Sequence, residues 1–251
     1  MDFSDTSIVI TGSGLGIGRR AALEFASRGG LVTVSDLESE RAEAVASEIT
    51  GAGGRALAVA ADVTDYDQVK ALIDGTTTEF GRVDVLINNA GTSKMAMFVQ
   101  TVPADWRFEI DLCLYGVMNG CHAVLPQMME RGSGKILNIC SDAGRVGEPG
   151  LAAYSAAKAG VVGFTKAIAK EVARNNVLVN CLCFSAIRTE GIQAVFDAMP
   201  GMEEKMVKRY PMKRIGEPEE AVNAMMMMVS DYVTFTTGQV LSANGGYAMV
   251  G

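Results

Sequence analysis

The stretch Ser7-Ile-Val-Ile-Thr11-Gly12-Ser13-Gly14-Leu15-Gly16-Ile17-Gly18 decides the fold. An apolar run suited to a strand enters a glycine-rich turn, and a helical pattern, Ile17–Arg28, leaves it. Glycine fits where backbone must turn sharply and pass close to a pyrophosphate, because a side chain would obstruct both. The helix that follows aims its free N–H groups and positive dipole end at phosphate oxygens. Gly12, Ser13, Gly16, Ile17 and Gly18 are therefore candidate contacts for a dinucleotide.

The chain beyond this loop repeats the same alternation. Strands are expected at Leu31–Ser35, Arg55–Ala60, Val83–Ile87, Lys135–Cys140, Val177–Cys183 and Gln239–Ser242. Helices are expected at Ser39–Thr50, Asp65–Phe80, Pro103–Glu130, Ala153–Asn175 and Glu217–Ser230, with a helical or irregular segment over 187–212. The strands lack polar alternation, as strands buried on both faces of a parallel sheet do. One helix per link predicts a doubly wound, Rossmann-type α/β fold of about seven parallel strands in three layers. No linker or repeat divides the 251 residues, so one domain over 1–251 is expected, with 187–212 capping the substrate.

Composition excludes several classes. Hydrophobic residues make up 49% and the formal net charge is −7, which fits a packed core and argues against a nucleic-acid partner. The opening MDFSDTSIVITGSG has no basic region followed by an apolar one, so no signal peptide is expected. No apolar run approaches the roughly 18 residues of a membrane span. Met225–Val229 is too short and is expected to be the buried face of a helix. The five cysteines (113, 121, 140, 181, 183) form no C-x-x-C pair, so reduced thiols in a cytoplasmic protein fit, and no metal site is expected.

Two sites follow from position. Asp36, with Leu37 behind it, ends the second strand, where a carboxylate can accept hydrogen bonds from ribose hydroxyls and repel a 2′-phosphate. NAD is the expected cofactor. Tyr154-Ser-Ala-Ala-Lys158 places a phenol and an ammonium on one helix face, where the cation should lower the tyrosine pKa from about 10. Such a tyrosine can exchange a proton with an alcohol or carbonyl oxygen. Ser141, ending the fifth strand, can hydrogen-bond that oxygen. Tyr66-Asp-Gln-Val-Lys70 has the same spacing but is expected on a solvated helix face.

These residues together resemble the short-chain dehydrogenase/reductase family, and the likeness runs through nearly the whole chain. The loop matches the family's T-G-x-x-x-G-x-G at Gly12, Gly16 and Gly18. Asn88-Asn89-Ala90-Gly91, Asp62-Val63, Ile187-Arg188-Thr189 and the ending Thr237 to Gly246 are also similar. The resemblance implies that Asp62 and Val63 contact adenine and that Asn89, Ala90 and Gly91 line the cofactor. It implies that Ile187 and Thr189 hold the nicotinamide carboxamide. It further implies Ser141, Tyr154 and Lys158 as the catalytic set, Tyr154 as acid/base and Lys158 also as a ribose contact. A small-molecule alcohol or ketone is the implied substrate, and a homotetramer built on helices near 105–130 and 153–175 the implied assembly. Asp142–Gly147 and the C-terminal region are similar to 2-hydroxycyclohexanecarboxyl-CoA dehydrogenases and related alicyclic alcohol dehydrogenases. A 3-oxoacyl-thioester reductase is the alternative enzyme, with Asp36 arguing against its usual NADPH; a non-catalytic NAD-binding regulator is the alternative of another class.

Two positions depart from the pattern. Cys113 stands where the family has an Asn that helps relay protons from the lysine, and Phe184-Ser185 replaces Pro-Gly after the sixth strand. His122, the only histidine, reads as structural or interfacial. Cys181 and Cys183 share a strand face and read as packing or as a metal or redox pair. Lys205, Lys208, Arg209, Lys213 and Arg214 read as a solvated face or as contacts to an anionic handle such as the phosphates of coenzyme A.

Overall fold

The protein is described by a computed structural model over residues 1–250. Seven parallel strands form one sheet in the order β3-β2-β1-β4-β5-β6-β7. They are β1 Ser7–Thr11, β2 Leu31–Asp36, β3 Arg55–Ala60, β4 Val85–Asn88, β5 Gly134–Ser141, β6 Val177–Phe184 and β7 Val240–Ala243. The chain runs outward from β1 to β3, returns, and runs outward again from β4 to β7. The reversal leaves a crevice at the C-terminal ends of β1 and β4.

Among the described residues there are ten α-helices, most of them packed on the sheet: α1 Gly16–Ser27, α2 Ser39–Gly51, α3 Tyr66–Phe80, α4 Pro103–Ile110, α5 Gly116–Arg131, α6 Ala143–Val146, α7 Ala152–Val172, α8 Glu190–Ala198, α9 Met202–Val207 and α10 Pro218–Val229. Local signals set several ends. Asp65 caps α3 by accepting the N–H groups of Asp67 and Gln68, and Gly81 stops it in the left-handed conformation. Pro103 and Pro218 open α4 and α10, where a missing N–H costs nothing.

The strands are buried on both faces, which explains their missing alternation. Ile8, Ile10, Val32 and Val34 pack toward α1, α2 and α10 in one core. Val9, Leu86, Ile136 and Cys181 pack toward α3, α5 and α7 in the other. Met225, Met226 and Met228 are buried in the first core, as expected for that run. A third, small cluster of Phe196, Tyr210 and Ile215 holds the capping segment together.

The long helical region expected at Pro103–Glu130 is helical throughout, with a π turn over Asp111–Tyr115 between α4 and α5. The turn adds a residue to the helical repeat and carries buried Cys113 into the crevice. A π turn leaves no composition signal, and such turns recur at functional sites.

Candidate active site

On the phosphate side the crevice is made of backbone. Gly12 and Gly16 adopt φ of +61° and +55°, which L side chains rarely tolerate. A Cβ on Gly18 would lie 2.3 Å from the Gly12 carbonyl oxygen, and one on Gly12 would lie 2.8 Å from Ala90 Cα. Helix α1 and the end of β4 therefore close on the loop as only glycine permits. The side chains of the loop serve the frame. Buried Ser13 donates its hydroxyl to the Ile10 carbonyl at 2.7 Å and accepts the Ser35 N–H at 3.0 Å, tying β1 to β2. Asn89 donates to the carbonyls of Thr11 and Gly12 at 2.9 and 3.0 Å. Thr11 in turn accepts the N–H groups of Asn89 and Ala90.

Asp36 points at this loop. Its carboxylate accepts the Gly14 N–H at 3.1 Å and the Glu38 N–H at 3.3 Å, and Leu37 beside it is exposed. Arg41 abuts the same spot, but its guanidinium pairs with Glu38 at 3.0 Å. Asp62 accepts the N–H and hydroxyl of Thr64, and Val63 is buried against Gly116. Ile187 is buried and bridges to Gly216. Thr189 caps α8 and faces Gly16, so the capping segment starts over the phosphate loop. The glycine cradle and the carboxylate beside it fit a dinucleotide.

The other end of the crevice is made of side chains. Tyr154 and Lys158 lie on one face of α7, the Lys158 Nζ 5.7 Å from the phenol ring centroid. Lys158 is buried and donates to the Ile139 carbonyl at 2.8 Å. The Ser141 hydroxyl stands close enough to favour the Tyr154 phenolate, and it accepts the Ala143 N–H at 3.2 Å. Gly91 closes the group, since a Cβ there would touch both Cys113 Sγ and Lys158 Nζ at 3.4 Å. Cys113 itself donates only weakly, to the Thr92 carbonyl at 3.5 Å, and burial pushes its pKa up.

Electrostatics correct one expectation. Burial raises the Tyr154 pKa above the ordinary phenol value; the Lys158 ammonium opposes the shift without reversing it. Burial alone would lower the Lys158 pKa, yet the anionic forms of Tyr154 and the nearby thiols outweigh it and hold the ammonium. At neutral pH the site thus carries a protonated phenol beside a charged lysine.

The model of the short chain dehydrogenases matches residues 6–200. The chain belongs to the short-chain dehydrogenase family. It is 38% identical to the 3-oxoacyl-[acyl-carrier-protein] reductase FabG of Staphylococcus aureus over 244 residues, covering 97% of this chain and 98% of the relative. It is 40% identical to the 3-oxoacyl-[acyl-carrier-protein] reductase of a Synechocystis species, covering 96% of each. Among solved structures it resembles a 7α-hydroxysteroid dehydrogenase complexed with NADH and 7-oxo glycochenodeoxycholic acid. That likeness has a TM-score of 0.92 at 32% identity, covering 98% of this chain and 95% of the other. These relatives carry the family and its oxidoreductase class; the finer likeness to alicyclic alcohol dehydrogenases is not the one they share.

The fold of this short-chain dehydrogenase also places residues that sequence reading passed over. Buried Asn138 on β5 accepts from Asn88 on β4 at 2.9 Å and donates to Thr165 on α7 at 2.9 Å. This polar ladder fixes α7, and with it Tyr154 and Lys158, against Ser141. A Cβ on Gly120 would lie 2.2 Å from Asn88 Oδ1, so α5 approaches the ladder through a glycine. Buried Asp142 accepts from Ser242 and Asn244, both at 2.6 Å, and binds the C-terminal strand to the Ser141 loop. Phe184, in place of the family's proline, is buried and its carbonyl accepts the Asp142 N–H at 2.9 Å. Tyr66, from the second Y-x-x-x-K, meets the Nδ1 of His122 at 2.8 Å on the outer face, while Lys70 pairs with Asp74.

The basic cluster is not free to meet an anionic handle as a group. Arg209 forms a two-pronged pair with Glu148 at 2.7 and 3.0 Å, and Tyr247 joins it. Arg214 pairs with Glu220 at 2.6 Å. Lys205, Lys208 and Lys213 are exposed.

Proposed function

We propose that the chain is an NAD(H)-dependent reductase that interconverts a ketone and a secondary alcohol, with a 3-oxoacyl thioester as the leading substrate class. The observation that carries the reading is the convergence of Tyr154, Lys158 and Ser141 at one end of a crevice whose other end is a glycine cradle. The relatives named as 3-oxoacyl-[acyl-carrier-protein] reductases support the thioester. Asp36, facing the loop with both oxygens engaged by backbone N–H groups, supports a cofactor without a 2′-phosphate.

Bound at Gly12, Gly16, Gly18, Asp36 and Lys158, the dinucleotide supplies the hydride. The chain supplies the rest. Tyr154 donates its phenolic proton to the carbonyl oxygen in reduction and takes it back in oxidation. Its raised pKa keeps that proton in place at neutral pH. Lys158 stabilises the phenolate that remains. Ser141 donates to the substrate oxygen as charge develops there. Ser13 and Asn89 hold the shape of the loop, and Ile187 and Thr189 close the crevice over it.

A second substrate reading rests on the rim. Met95, Met97 and Phe98 are 62%, 58% and 52% exposed, and Ala96 is bonded to Gly150, four residues before Tyr154. An adaptable methionine-rich edge suits a bulky apolar ketone such as an oxosteroid. The intact catalytic set argues against a purely regulatory NAD-binding protein. For the assembly we propose a homotetramer, which the apolar groove lined by Tyr115, Met118, Leu125, Met129, Phe164 and Ile168 on the outer face of α5 and α7 supports as a surface for a second copy. The five cysteines are all free, which suits a reducing cytoplasm, and among the described residues no helix is long and apolar enough to cross a membrane.

The test is NADH and NADPH oxidation with 3-oxoacyl-CoA esters, cyclic ketones and oxosteroids. NADH-driven reduction of the thioesters is expected. Preference for NADPH would remove the Asp36 argument, and turnover confined to oxosteroids would select the second substrate reading.

A further inference from the structure

Beneath α7, on the sheet face that packs against α3, α5 and α7, three thiols meet. Cys140 on β5 and Cys183 on β6 are register partners, and Cys181 lies two residues back on the same face of β6. Their sulfur atoms all lie within 4.8 Å of one another, and the residues are 4%, 0% and 0% exposed. We infer that Cys140, Cys181 and Cys183 form a site for one thiolate-seeking divalent cation such as zinc or cadmium, set directly under the catalytic lysine.

The geometry needs little adjustment. An ion bonded at about 2.3 Å to three sulfurs in a plane separates them by about 4.0 Å. Soft thiolates select such ions over magnesium or calcium. Packing explains single buried cysteines, and Cys121, whose sulfur meets the amides of Asn88 and Asn138 within an apolar cluster, is of that kind; burial pushes its pKa to about 12. Strand register brings these three side chains together, and what sets the trio apart is that all three are thiols.

Charge also closes. Each thiol yields its proton to solvent as its sulfur takes the ion, so binding releases up to three protons and changes no oxidation state. Three thiolates and a dication leave one negative charge. Lys158 adjoins the site: the Cys140 thiol donates to the Lys158 carbonyl at 3.2 Å, and the Lys158 ammonium donates to the carbonyl of Ile139, the residue before Cys140. An ion held here draws on the same ammonium that serves Tyr154, so its binding should also slow turnover.

Cadmium titrated into the full chain under a non-thiol reductant tests the site. One equivalent should bind with a thiolate-to-metal charge-transfer band in the ultraviolet. The Cys113→Ala/Cys121→Ala double variant should keep that band, and Cys181→Ala and Cys183→Ala should each lose it. In the wild type, where no variant need fold, cadmium should slow alkylation of residues 140, 181 and 183 and not of 113 and 121, as mapped by peptide mass. No cadmium uptake, uptake that survives Cys181→Ala and Cys183→Ala, or equal protection of all five thiols would overturn the inference.

Discussion

The two ends of the crevice are built on opposite principles. The phosphate end is backbone: its glycines leave no space, and its polar side chains, Ser13 and Asn89, are spent holding the main chain in shape. The catalytic end is side chain: Tyr154, Lys158 and Ser141 stand where a buried ladder from β4 to α7 puts them. At the first end a substitution acts by adding atoms. At the second it acts by removing partners or charge.

That contrast can be broken by experiment. Lys158→Ala removes the only charge opposing burial at Tyr154. The phenol pKa, already raised, should climb further, and general acid–base catalysis of about 10²-fold or more should be lost. The sign is set by the direction. Alcohol oxidation needs the phenolate, so its rate should rise with pH, and in the variant that rise should move to higher pH. Ketone reduction needs the phenol and should fall only where the phenol ionises. A pH profile of both directions checks this, and an oxidation limb moving to lower pH would contradict it.

Asn138→Ala leaves Thr165 without its partner and Asn88 with only the weak contact to the Cys121 sulfur, both in a buried interior. At about 1–3 kcal/mol for each of the two groups, chemical denaturation should show a loss of about 2–6 kcal/mol. Because α7 shifts against Ser141, kcat should fall more than NADH affinity. Gly18→Ala presses a methyl group onto the Gly12 carbonyl and should cost about 1–3 kcal/mol by overpacking. Here NADH affinity should fall more than kcat, the reverse split. The smallest effect sharpens the point. A Cβ on Gly51 at the end of α2 meets nothing within 4 Å, so Gly51→Ala should stabilise by about 0.4–1 kcal/mol through the unfolded chain.

The same contrast explains what could be read from the sequence. The doubly wound sheet was legible because Ser7–Thr11 and its successors are apolar throughout, and because glycine spacing reports backbone geometry directly. Tyr154 and Lys158 were legible because four residues of helix put them on one face. The ladder was not, since Asn88, Asn138 and Thr165 are single polar residues far apart in the chain, joined only by strand register and helix docking. The π turn at Cys113 and the meeting of Cys140 with Cys181 and Cys183 depend on the same long-range placement. The Tyr154 pKa was misread because spacing shows the cation and not the burial. The ion pair of Arg209 was not legible because its partner, Glu148, lies on another loop.

The most direct test of the central claim is turnover by Tyr154→Phe, measured as NADH oxidation with the ketone the wild type reduces best, alongside NADH binding by fluorescence. The account predicts unchanged NADH affinity and a rate lower by at least about 10²-fold, the loss of a positioned proton donor. A variant that binds NADH and reduces the ketone at the wild-type rate would contradict it.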